Sequence, residues 1–216
     1  MSVTRNLFLA SIALIVSTAT ASATTISYSD TTGSKITDFT APLTLTGFNP
    51  ALGNLTSVTV TIDAAGQFGG NVKNNAASKA TFDVNEDTRI KVSGGPASLS
   101  GLKLDLIASQ SYAGLLSGES QLFGPYTPTA SQTFNIAIGD FSQYLVNSFS
   151  FDASTLTGTT VLGGGGNILN FITTQALVNA TVTYTYDAGA PVPEPAALGL
   201  MGLGLIGLAA ARRKKA

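Results

Sequence analysis

The side chains that could do chemistry in this sequence are almost all carboxylates. The chain contains no His and no Cys. That removes Ser-His-Asp hydrolysis, thiol nucleophiles, iron–sulfur ligation, and zinc held by imidazole or thiolate. Asp83, Asn85 and Asp87 place three oxygen donors at alternate positions, the spacing that opens a calcium loop. A helix–loop–helix calcium loop needs Gly at its sixth position and an acidic residue at its twelfth, where Thr88 and Gly94 stand here. The triad is therefore a candidate for a calcium site in a turn. The competing assignment is a polar hairpin turn whose Asp and Asn side chains bond their own backbone. No other cofactor is expected.

Glycoside hydrolysis needs two carboxyl groups facing each other across ~5 to 10 Å. The available pairs are Glu86 with Asp83 or Asp87, and Glu119 with Asp105. Adjacent strand residues point to opposite faces, so Glu86 and Asp87 make a pair only in a turn. Solvated loop charge explains all of them more simply, and no enzyme activity is expected. Sugar stacking would fall to Tyr112, Tyr126, Tyr184 and Tyr186, because Trp is absent. The last two of these alternate like core residues. The run from Gly202 to Gly207 fits a dinucleotide fingerprint only formally, since it follows no strand and lies in an apolar tail. The glycines at 163–166 lead to Asn167 without a Lys, so they form no phosphate loop.

The elements that would position these residues read mostly as strands. Residues 56–63 alternate, with Val58, Val60 and Ile62 on one face and Thr59 and Thr61 on the other. Residues 81–84 and 89–93 make two short candidates. Residues 99–107 put Leu102, Leu104 and Leu106 opposite Lys103 and Asp105. Residues 133–138 alternate Phe134, Ile136 and Ile138, and 147–152 alternate Phe149 and Phe151. Residues 177–187 are the longest run, with Val178, Ala180, Val182, Tyr184 and Tyr186 opposite Thr181, Thr183 and Thr185. Residues 36–48 are broken by Pro42, which predicts an edge strand or two pieces. Turn clusters fall at 49–54, 69–71, 94–96, 124–125 and 163–166. Helical pieces are expected only at 141–146 and 168–174. Many short alternating strands between Gly/Pro turns predict an all-β fold, an antiparallel β-sandwich.

Both ends of the chain depart from this pattern. Arg5, an apolar run at 7–16, and small residues at Ala21 and Ala23 make residues 1–23 a signal-peptide helix with a signal-peptidase site. At the other end stand Val192, Pro193, Glu194 and Pro195. Residues 196–211 follow with no charge, then Arg212, Arg213, Lys214 and Lys215. As a helix the apolar run reaches ~24 Å, short of a ~30 Å hydrocarbon core. The basic cluster acts as a stop and keeps residues 212–216 cytoplasmic. The expected organisation is signal peptide 1–23, ectodomain 24–187, linker 188–195, short transmembrane helix 196–211 and basic tail 212–216. Residues 24–193 carry six basic and eleven acidic side chains, a net of −5, which offers no attraction for nucleic acid.

The tail resembles the PEP-CTERM sorting signal of Gram-negative bacteria. It has the Val-Pro-Glu-Pro motif at 192–195, the Gly/Ala/Leu-rich span and the terminal basic cluster, in that order. The resemblance implies recognition and cleavage near the Pro-Glu-Pro by an exosortase, after transient anchoring in the inner membrane. Release to the cell surface or the extracellular space would follow. The same hydropathy fits a permanent anchor, but the short glycine-rich span favours sorting. The ectodomain is similar to the choice-of-anchor E domain. That similarity rests on the run from Phe48 to Val58, with Pro50, Leu52, Gly53, Leu55 and Thr56. It also rests on 82–92, on Phe123 to Tyr126, and on Thr183 to Tyr186. This domain has no known reaction, so it carries over no catalytic residues. Exosortase systems accompany exopolysaccharide production, and the resemblance thus implies a role in biofilm or matrix material. A carbohydrate-binding surface module and, behind it, a secreted carboxylate glycosidase are the alternatives.

Overall fold

The computed structural model describes residues 23–188 together with Gly202. Residues 23–187 form one compact unit of ten strands. They are β1 (Ala23–Thr31), β2 (Lys35–Ile36), β3 (Thr40–Thr46), β4 (Asn54–Asn74), β5 (Ala80–Ser93), β6 (Lys103–Leu115), β7 (Ser120–Tyr126), β8 (Thr129–Asn135), β9 (Ser148–Gly163) and β10 (Ile168–Asp187). Two antiparallel sheets stack as the expected sandwich. The first runs β1-β10-β4-β7, with β2 also on β10 and β8 also on β4; the second runs β3-β9-β5-β6.

Two strands set the length of the domain. β4 has 21 residues and β10 has 20, and they pair from Asn54 opposite Asp187 to Asn74 opposite Ile168. At ~3.3 Å per residue the pair reaches ~65 Å. The alternating residues behave as expected: Val58, Val60, Ile62, Val178, Ala180, Val182 and Tyr184 are buried. Leu43, Leu45, Val84, Ile90, Leu106 and Phe151 meet them from the second sheet. Phe48 packs against the rings of Tyr184 and Tyr186 at 5.5 and 5.3 Å. Pro42 does lie in an edge strand, opposite Asp152 of β9, where its missing N–H breaks no ladder.

Five expectations of local structure are corrected. Gly69, Gly70 and Asn71 are not a turn but part of β4. A Cβ on Gly70 would lie 2.1 Å from the Phe171 carbonyl oxygen, so the glycine there serves close backbone approach. Residues 168–174 are not helical but the first third of β10, because β4 supplies a ladder along their whole length. The two short strands at 81–84 and 89–93 are one, β5, paired on both sides by β6 and β9. Gly124 and Pro125 sit inside β7, joined by a cis peptide, rather than ending it. The helical piece near 141–146 appears as a short 3-10 segment, Ile138–Tyr144. It starts at Ile138 and leaves that side chain 80% exposed rather than inward.

Candidate functional site

The two ends of the domain meet at one pole. Ala23 opens β1 opposite Asp187, the last residue of β10. The chain therefore enters and leaves the sandwich side by side. The far pole carries the turns after β4, β6 and β9. Ala21 of the signal-peptidase pair lies outside the described residues, as do Val192, Pro193, Glu194, Pro195, Arg212, Arg213, Lys214 and Lys215. So does the expected apolar helix apart from Gly202, which is helical. Among the described residues no helix is long and apolar enough to cross a membrane.

The structure separates the carboxylates. Asp83, Asn85 and Asp87 stand at alternate positions of β5, on the outer face of the second sheet, not in a turn. Alternate strand residues are ~6.6 Å apart, so Asp83 and Asp87 start ~13 Å from one another and cannot share one cation. A calcium ion takes its oxygens at ~2.3 to 2.6 Å. Among the described residues no acidic cluster suited to a metal is found. Asp87 instead lies 3.8 Å from Arg89, which also bonds Asp105 at 3.1 Å.

Glu86 points the other way, into the sandwich, and is 1% exposed. Burial raises its carboxyl above the ordinary range; the 2.7 Å bond from the Thr159 hydroxyl opposes this, and the Asp87 charge adds to it. Glu119 closes its own turn by accepting from the Leu116 N–H at 2.8 Å. None of the proposed carboxylate pairs faces across a cleft. Tyr112, Tyr184 and Tyr186 are buried, and Tyr126 is half-buried with its hydroxyl on Gln110. Burial and the neighbouring Tyr126 push the Tyr112 hydroxyl up to about 12. Among the described residues Phe171 is the large exposed aromatic, at 65%.

What the strands do bring together is a polar face on the first sheet. Thr31, Asn179, Asp63 and Ser131 form one row across β1, β10, β4 and β8. Ser29, Thr181, Thr61 and Thr133 form the next, then Ser27, Thr183, Thr59 and Asn135. Rows repeat every ~6.6 Å and columns every ~4.8 Å. Hydroxyls bond across strands, Ser27 with Thr183 at 2.8 Å and Thr61 with Thr133 at 3.0 Å, and Ser131 donates to Asp63 at 2.6 Å. Two shallow grooves flank Asp63 and Asn179. The sequence showed the threonines of β10 on one face; that β1, β4 and β8 extend them into an array depends on sheet order.

The sandwich is sealed differently along its two sides. On one side Gln110 and Tyr112 of β6 both donate to the Leu122 carbonyl at 2.9 Å, and Gln110 accepts from the Gly124 N–H at 3.0 Å. On the other side residues 37–39 bridge β10 to β9. The Thr37 N–H donates to Thr174 O at 3.1 Å and the Thr155 N–H to Phe39 O at 2.9 Å. Asp38, at φ 66°, takes the Thr157 N–H on its carboxylate at 2.7 Å.

Comparison with known proteins adds one fact about the end of the chain. Residues 191–214 match the PEP-CTERM protein-sorting motif. The chain is thus an exported protein, held at the membrane until an exosortase processes its tail. The PEP-CTERM match covers the tail and not the sandwich. No curated protein matches the chain. Among solved structures, the chain is similar to the parasporin-2 toxin of Bacillus thuringiensis, described as recognizing cancer cells. Identity is 14% over 76% of this chain and 68% of that one, with a TM-score of 0.22. A chain of infectious bursal disease virus, Gx strain, is 14% identical over 86% of this chain and 48% of its own length, with a TM-score of 0.19. Neither likeness bears on function at those scores.

Proposed function

We propose that this protein is a non-enzymatic, surface-sorted component of the envelope or extracellular polysaccharide matrix of a Gram-negative bacterium, and that its ectodomain is of the choice-of-anchor E type. Residues 1–23 leave at signal peptidase. Residues 24–187 fold outside the inner membrane. The linker 188–195 presents Val192–Pro195 to the exosortase, while 196–211 hold the membrane and Arg212 to Lys215 stay in the cytoplasm. The observation that carries this proposal is the sorting motif on a domain whose two ends leave at one pole. Of the fold, the signal-peptidase cut then removes only Ala23, the first residue of β1, and the exosortase cut falls beyond Asp187, the last residue of β10.

The alternative of a carbohydrate-binding module is favoured by the hydroxyl and amide rows around Asp63 and Asn179, a nearly uncharged surface suited to a neutral polyhydroxylated polymer. Tyrosine stacking does not support it, since three of the four tyrosines are buried. The glycosidase alternative has no facing carboxylates behind it.

The test is the intact mass of the protein from cell-envelope and culture-medium fractions of its own host. A species starting at Thr24 and ending near Pro193 to Pro195 is expected, with co-sedimentation on the host's own exopolysaccharide. A membrane-bound species that keeps Arg212 to Lys215 overturns the sorting step. Sorting without co-sedimentation overturns the matrix role.

A further inference from the structure

We infer that the free edge of β9, residues 159–163, is a self-association site at which two copies of this chain pair antiparallel about Val161. The inference is independent of the proposed matrix role. β3 covers β9 only as far as Ser154, and the bridge at 37–39 carries the seal to Thr157. Beyond it, β9 is paired on one side alone, by β5. β10 is in the same state before Thr174, where β4 is its sole strand partner. Among the described residues, two sheets thus end in open edges along one side of the far pole.

The pattern of donors shows what such an edge accepts. Thr155 and Thr157 direct their N–H groups away from β5, and the β5–β9 register runs without a shift to Gly163. Thr159, Val161 and Gly163 therefore point N–H and C=O outward together. That row is a template for an extended backbone. An antiparallel copy with Val161 opposite Val161 sets Thr159 against Gly163 of the second copy and makes about six backbone hydrogen bonds. Leu162, 55% exposed, then lies opposite Thr160 of the second copy and diagonal to its Leu162. A two-fold axis perpendicular to the sheets also brings the open stretches of β10 together, because they lie on the same side.

Three features select a second copy as occupant. No charged residue lies between Asp152 and Asp187, so neither open stretch brings a charge of its own into the pairing. None of the usual edge guards (Lys, Pro or an inward charge) stands in 159–163. On the opposite side the edge strand β6 is bridged to Leu122 by Gln110 and Tyr112 and carries exposed Lys103 and Asp105 further along, charges that guard an edge against head-to-tail growth. Pairing is then two-fold and closed, not fibrous.

The test uses the full chain in its own host. The native sequence has no Cys, so Val161→Cys gives a disulfide only between copies. A disulfide-linked dimer is expected on non-reducing electrophoresis of both envelope and medium fractions, whichever form of the tail is present. Ile107→Cys, more exposed than Val161 and on β6 at the opposite edge of the second sheet, should give none. Val161→Pro removes an outward N–H that the fold does not use, so it should lose the native dimer in sedimentation while keeping the β-sheet circular dichroism. Absence of the Val161→Cys dimer, an equal dimer at Ile107→Cys, or a Val161→Pro protein that still dimerises overturns the inference. A cross-link to a different protein overturns it too, in favour of a foreign strand.

Discussion

Asn74 closes the far pole, and its removal should be the most damaging single polar truncation there. The side chain is fully buried. Its Nδ2 donates to Ser78 O and Leu115 O, both at 2.8 Å, and its Oδ1 accepts from the Ala76 N–H at 2.9 Å. One amide thereby joins the end of β4, the turn to β5, and the end of β6. Asn74→Ala deletes three bonds. Ser78 O and the Ala76 N–H lie in a partly exposed turn and Leu115 O keeps its place opposite Ala80 in the β5–β6 pairing, so each lost bond costs ~0.5 to 1.5 kcal/mol. The expected total is ~3 kcal/mol, or a fall in Tm of roughly 6 to 12 °C for a domain of this size. The assay is urea denaturation of the exported protein, read by circular dichroism, with Asn71→Ala as the exposed control. The midpoint should drop with an unchanged slope. A loss below ~0.5 kcal/mol, the range of ordinary surface substitutions, would refute the argument.

Two further outcomes are expected. Gly70→Ala puts a Cβ 2.1 Å from the Phe171 carbonyl oxygen and 2.7 Å from the Ile172 Cα, so the β4–β10 ladder must part locally. A loss of ~1 to 3 kcal/mol is expected, with faster amide exchange at 171–173, and unchanged exchange would count against close approach as the reason for the glycine. Glu86 has a folded-state pKa raised above its unfolded value, chiefly by burial. Its contribution to stability is therefore present in full below the unfolded pKa and is lost as pH rises through the folded one. Glu86→Gln should melt above the parent near about pH 8 and alongside it near about pH 4, and parallel curves across that range would show that the carboxyl is not the titrating group.

How much was legible in the sequence depended on whether a strand's neighbours were needed to recognise it. Val58, Val60 and Ile62, or Val178 to Tyr186, declare a half-buried strand by alternation alone. The continuation of β4 through Gly66, Gly69 and Gly70 does not, since glycine marks a turn equally well and the choice is made by the backbone of β10. Residues 168–174 have the same ambiguity, and β4 decides it. The charges at Asp83, Glu86 and Asp87 suggested a turn splitting β5, yet one of them goes inward and two outward, as strand geometry requires. For the site, alternation identified the threonine face of β10, but sheet order sets its breadth. The open edge of β9 has no sequence signature beyond its lack of charge, because it exists only where β3 stops.

The pairing of β4 with β10 has a mechanical consequence. The turn after Gly163 and the exit after Asp187 are the two ends of a single strand, so a pull between them travels along β10 itself. β4 grips that strand over its full length, and every rung of the ladder then bears tension in shear, simultaneously. Loading Ala23 against Asp187 is the opposite case: β1 peels from β10 one rung at a time. The domain should thus resist traction from its far pole strongly and yield readily when its two termini are drawn apart.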